Sequence, residues 1–168
     1  MRNSLSILVV SIALTACGSD SSSESDPLPD PANQDTAIEY SELLCGSNLA
    51  SSVAGDLLIS SVNSKYAFKT VDNGIALDIS GTSNTVCITG NLIKLTSSGT
   101  SLTAYISGNV GEIDVTGTDS KIYVWGDAGP VEFSGATNTL YAKSVGAVTD
   151  SGVNNQRKPI SEFTTAAD

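Results

Sequence analysis

Glycine recurs every eighteen residues through the middle of the chain, at Gly81, Gly99, Gly117 and Gly135, with Gly152 following after seventeen. A second set, Gly90, Gly108 and Gly126, falls nine residues after the first three. A fixed period of this length marks a repeat architecture, in which no single unit can bury its own apolar face and stacking does so instead. Aligned on the glycines, the segments read GTSNTVCITGNLIKLTSS, GTSLTAYISGNVGEIDVT, GTDSKIYVWGDAGPVEFS and GATNTLYAKSVGAVTDS, so each unit holds two half-repeats. Thr82, Thr100 and Thr118 follow one set of glycines and Asn91, Asn109 and Asp127 the other, residue types that turns accept. The glycines are therefore expected at turns.

Between the glycines the pattern has period two. Val86/Ile88, Ala104/Ile106, Ile122/Val124 and Leu140/Ala142 are apolar, and their neighbours are mostly polar or tyrosine. That alternation describes a strand with one buried face. The second half-repeat supplies Leu95, Ile113, Val131 and Val148, with Val115 and Phe133 two residues further on. Coils stacked about 4.8 Å apart would bury these residues as one column while every strand pairs with the coils on either side. The expected fold is thus all-β: a single-domain parallel β-solenoid (β-helix) of about six 18-residue coils. Two glycine-marked corners favour a two-sided coil; the rival is a three-sided left-handed helix, since eighteen is also three times six.

The register extends backward through Leu77-Asp78-Ile79 and, more faintly, through Tyr66/Phe68 and Leu57/Ile59. Residues 38–62 are assigned to an N-terminal cap and a degenerate first coil, 63–151 to the solenoid repeats and 152–168 to a C-terminal cap or tail. Val153, Ile160 and Phe163, interrupted by Pro159, are expected to cover the last coil against edge-to-edge pairing.

Upstream, Arg2 precedes an apolar run from Leu5 to Leu14 that is too short to span a bilayer, and Leu14-Thr15-Ala16-Cys17 ends it. This segment resembles a lipoprotein signal peptide (residues 1–17) with a bacterial lipobox. The resemblance implies cleavage before Cys17 and attachment of diacylglycerol to its thiol, with a fatty acyl chain such as palmitate completing a stable anchor. Gly18 in place of an aspartate resembles the pattern released toward the outer membrane. Residues 18–37 are rich in Ser, Asp and Pro, carry five acids and no base, and read as a disordered acidic tether. Its random-coil reach is roughly 25 Å.

The combination of lipobox, acidic tether and repeats such as Gly81-Thr-Ser-Asn-Thr-Val-Cys-Ile-Thr-Gly90 resembles the bacterial envelope proteins grouped as domain of unknown function 3060. Repeats of that family read Gly-x-x-Asn-Thr-Val-x-Val. The likeness covers roughly residues 60–150, is good at Asn84-Thr85-Val86 and Asn138-Thr139-Leu140, and is weak at Leu102-Thr103-Ala104 and Ser120-Lys121-Ile122. It implies a solenoid and no known chemistry.

The chain contains no histidine, which removes Ser-His-Asp and Cys-His nucleophile activation, histidine zinc sites and the usual imidazole base. No residue is assigned a catalytic, metal-ligating or cofactor-binding role, and the protein is not expected to be an enzyme. Without residues 1–17, seven basic residues face eighteen acidic ones, a balance that disfavours nucleic acid as a partner. Cys45 and Cys87 are the thiols left in the folded part of an exported protein and are expected to form a disulfide. Strict stacking places Cys45 about two coils from Cys87, so the bridge requires the N-terminal cap to fold back along the tyrosine face.

Two outward faces are candidates for function. Tyr105, Tyr123 and Tyr141 recur at the coil period with Trp125 beside Tyr123. They form either a stabilising aromatic ladder or an exposed platform for an envelope glycan or protein partner. On the second strand Asp78, Glu112, Asp114 and Glu132 form an acidic face read as solvated, with no calcium-binding Gly-Gly-x-Gly-x-Asp repeat. Together these features lead to a lipid-anchored envelope protein, exported and most consistent with the outer membrane, whose solenoid is a structural or binding module; the alternative is a carbohydrate-binding or carbohydrate-active envelope protein.

Overall fold

The computed structural model describes residues 52–70 and 74–163. The signal segment 1–17, the tether 18–37, most of the N-terminal cap, Cys17 and Cys45 lie outside the described residues. Among the described residues thirteen strands follow one another: β1 (Ser52–Val53), β2 (Leu57–Ile59), β3 (Lys65–Thr70), β4 (Ile75–Ile79), β5 (Thr85–Thr89), β6 (Leu92–Ser97), β7 (Thr103–Ile106), β8 (Ile113–Val115), β9 (Lys121–Ala128), β10 (Val131–Phe133), β11 (Thr139–Val145), β12 (Val148–Asp150) and β13 (Gln156–Pro159). Odd-numbered strands form one seven-stranded sheet and even-numbered strands a six-stranded one, each in chain order. Every pairing is parallel.

This is a β-solenoid of about six coils in which each coil lends one strand to each sheet. The register follows the sequence period. Val86 pairs with Ala104, Ala104 with Ile122 and Ile122 with Leu140, while Leu77, Leu95, Ile113 and Val131 stand in line on the other sheet. These inward residues are buried and merge with Ile88, Ile106, Val115 and Phe133 into one core between the sheets. Single bridges run along the corners, through Thr82, Thr100, Thr118 and Ala136 on one side and Leu92, Val110 and Ala128 on the other. Strand pairing begins at Ser52 and continues to Pro159, so the stack extends past both ends of the segment 63–151.

The glycines from Gly99 to Gly152 at the first corner serve close packing rather than the turn, whereas Gly90 at the other corner itself holds φ of 119°. A Cβ on Gly99, Gly117, Gly135 or Gly152 would collide with the carbonyl oxygen of the glycine one coil earlier, so successive coils touch backbone to backbone there. The left-handed conformation falls two residues later, at Ser83, Ser101, Asp119, Thr137 and Asn154, with φ between 55° and 61°. The turn is therefore made by polar residues, of which Asp119 and Asn154 tolerate this region best and the β-branched Thr137 least.

Buried amides hold the corners. The Ser120 backbone N–H donates to Asn138 Oδ1 at 2.9 Å, and Asn138 Nδ2 donates to the Gly117 carbonyl at 3.0 Å. Asn84 likewise donates to the Ser61 carbonyl at 2.8 Å and accepts from the Ser64 backbone N–H at 3.2 Å. The asparagine of the Gly-x-x-Asn-Thr-Val pattern thus satisfies turn backbone that would otherwise be buried without partners.

The C-terminal end differs from its expected cap. Val153 is 61% exposed, and Ile160 and Phe163 pack against the aromatic face instead of the end of the stack. The inward columns themselves change character: Arg157 follows Leu140, and Asp150 follows Phe133. Both charged residues are exposed. A charge at an inward position on a terminal strand discourages another strand from stacking on it, and Pro159 removes a backbone donor from the same edge.

Candidate functional site

The tyrosine ladder arises because residue 105 pairs with 123 and 123 with 141, placing one tyrosine per coil on the outer side of the seven-stranded sheet. Ring centroids lie 5.0 Å apart for Tyr105–Tyr123 and 4.8 Å for Tyr123–Tyr141, with interplanar angles of 11° and 14°. Coil spacing therefore equals stacking distance, and the backbone pre-orders the rings. At one end Lys158 Nζ sits 5.7 Å from the Tyr141 centroid, a cation over the last ring. At the other end Cys87 occupies the same column.

The face is not an open platform. After Pro159 the chain makes a short 3₁₀ turn (Ile160–Glu162) that brings Phe163 onto the ladder, 4.6 Å from Tyr123 and 5.6 Å from Trp125. Tyr123 is left 8% exposed and Trp125 4% exposed; Tyr105 and Tyr141 remain half-buried. The three tyrosines are collinear and the two outer rungs partly exposed, whereas Tyr123, with Trp125 beside it, is covered by the C-terminal segment. The apolar pair Ile160 and Phe163, three residues apart just after a proline, was the sequence signal for a short helical turn with one sticky side. Its destination was not encoded in the repeat.

Burial pushes the Tyr123 hydroxyl up to about 12, with the neighbouring Tyr105 and Tyr141 adding to the shift. Burial likewise raises Tyr105. A phenolate is disfavoured here because the surrounding rings cannot solvate it. Cys87 is fully buried although its column points outward, and it is disulfide-bonded; the other two cysteines, Cys17 and Cys45, both lie outside the described residues.

On the six-stranded sheet Asp78, Thr96, Asp114 and Glu132 stand in one outward column. Glu112 lies outside it and accepts from Lys94 in an exposed ion pair at 2.6 Å. Among the described residues no three acidic or cysteine side chains are grouped so as to hold a metal ion. The corner beside this sheet carries its own relay: the Asn109 backbone N–H donates to Asn91 Oδ1 and the Asp127 backbone N–H to Asn109 Oδ1, both at 2.8 Å. This relay stitches coils together, and at the N-terminal end of the same sheet Asp56, Leu58, Ala76, Asp78 and Thr96 line an open hollow.

No protein-family model matches the chain, and neither a curated protein nor a solved structure matches it.

Proposed function

We propose that this chain is a lipid-anchored bacterial envelope protein whose β-solenoid is a non-catalytic structural or binding module. The observation that carries the reading is Leu14-Thr15-Ala16-Cys17 at the end of a short apolar run, followed by twenty Ser-, Asp- and Pro-rich residues before the stacked coils. Such an order places a rigid body on a tether beside a membrane, outer membrane by the residue after the cysteine. Support for a non-enzymatic role comes from the lack of histidine and from carboxylates that stand one per coil along a sheet face, as Asp114 and Glu132 do. In an exported protein Cys45 is the proposed disulfide partner of Cys87.

The test is Cys17→Ser in the full chain. It is expected to abolish labelling by a fatty-acid analogue and to move the protein from the membrane fraction to the soluble exported fraction. Labelling that persists in the variant overturns the anchor.

One observation favours a glycan-binding variant of this reading: Tyr105 and Tyr141 stay partly exposed on either side of the covered rung. A glycan docking there would shift Phe163 and change Trp125 emission, because the two rings are in edge contact. Emission unchanged across a panel of envelope glycans leaves the ladder as scaffold.

A further inference from the structure

Charge is sorted between the two sheets. Odd-numbered strands carry Lys65, Lys69, Lys121, Lys143, Arg157 and Lys158 against one acid, Asp127. Even-numbered strands carry Asp78, Asp114, Glu132 and Asp150 against Lys94. A chain of net charge −10 therefore presents one basic wall, which its overall balance conceals.

The wall has a focus. Lys143, Arg157 and Lys158 line one depression at the C-terminal end of the seven-stranded sheet, together with Ser144 and Pro159. Its origin is a mismatch in strand length. β13 pairs only with Thr139–Ala142 of β11, which runs on to Val145, and Pro159 then leads the chain away into the 3₁₀ turn. Lys143, Ser144 and Val145 are left as a ledge beside β13. Lys158 pairs with Tyr141, two residues before Lys143, so both lysines project on the same side; Arg157 reaches the notch from the last inward position.

None of these three cations is in an ion pair among the described residues, where the pair formed is Lys94–Glu112 on the other sheet. The carboxylate that touches the ledge is Asp127, whose Oδ1 accepts from Ser144 Oγ at 2.7 Å. Three positive charges around one hollow repel each other, and an anion seated among them relieves that repulsion.

We propose that this notch is an anion site for a phosphate monoester, with the Arg157 guanidinium forked onto two phosphate oxygens and the Lys143 and Lys158 ammoniums matching the remaining charge. Phosphate is favoured over a carboxylate because it offers nearly two negative charges and three acceptor oxygens to three donors. The site deepens the binding-module reading but involves the solenoid alone, so its failure leaves the membrane anchor untouched, and loss of the anchor leaves the site.

The full chain in neutral detergent is titrated with inorganic phosphate at constant ionic strength, with acetate as control, and followed by backbone amide NMR. Saturable shifts are expected at Lys143, Ser144 and Lys158, with acetate giving none. Arg157→Gln and Lys143→Gln should each weaken phosphate binding about tenfold, while Lys65→Gln, at the far end of the same sheet, should not. A soluble sugar phosphate that saturates the same amides more tightly than inorganic phosphate assigns the site to a phosphorylated glycan; tighter saturation by phosphatidic acid in the micelle than by either soluble phosphate assigns it to a lipid headgroup. Shifts that do not saturate, shifts of equal size around Lys65 and Lys69, or unchanged affinity in both glutamine variants overturn the proposal.

Discussion

At the residue scale the corner positions separate what a side chain offers from what its backbone must do. Thr137 has φ of 61°, where a β-branched side chain is crowded, whereas Asn63 and Asn154 hold the equivalent position with a residue that tolerates it. Thr137 is exposed, so replacing it costs no packing. Thr137→Asn should therefore stabilise the fold by about 1 kcal/mol, seen as a higher urea midpoint with unchanged slope; a midpoint at or below the wild type contradicts this account. The corners were only half legible in the sequence. Repeated glycines announced them, but the glycine is fixed by contact between coils, which no single coil reveals. The left-handed turn falls on Ser83, Ser101 and Asp119, whose residue types are common in loops of every kind.

At the scale of elements, alternation was the reliable signal: apolar residues at every second position of β5, β7, β9 and β11 are the ones buried between the sheets, and the interleaved tyrosines form the ladder. The outer covering was not legible, because periodicity says which side of a strand is outward and nothing about which terminal segment returns to shield it. That shielding has a measurable consequence. An unfolded tyrosine loses its proton near 10, while Tyr123 in the fold retains it until about 12. Stability from this group is therefore complete below about pH 10 and is lost as the pH rises toward about 12, since in that window the unfolded state binds fewer protons. Tyr123→Phe keeps the stacked ring and removes the ionisation. The variant should lose less of its urea midpoint than the wild type between about pH 9 and about pH 11, with a residual loss from Tyr105, which is raised in the same direction. Identical losses in both proteins would show that the Tyr123 hydroxyl is solvated.

At the scale of the whole molecule, an 18-residue period fixes the stack but not where it stops. Parallel coils leave an unpaired strand edge at each end, and nothing in a repeat prevents a second molecule from continuing it. Here the first described coil ends in apolar inward residues, Leu57 and Ile59, while the last presents Asp150 and Arg157 at its inward positions. Asp150 is further committed to the local turn, accepting from the Gly152 backbone N–H and from Asn155 Nδ2 at 3.0 Å each. Stacking another molecule's first coil on this end would bury both charges away from water, at a cost of several kcal/mol per ion without excellent pairing. Among the described residues the two ends therefore differ in chemistry, and the inward charges oppose head-to-tail stacking at the C-terminal one. Replacing the inward charges with residues typical of their columns, Asp150→Val together with Arg157→Leu, makes the ends alike in chemistry. The double variant should associate in a concentration-dependent way into linear species visible by light scattering, whereas Lys143→Gln, which lowers charge on the outer face by one, should leave the size distribution as in the wild type. A double variant that folds, judged by unchanged Trp125 emission, and scatters like the wild type would mean that Pro159 and the turn after it guard the edge without help from the charges.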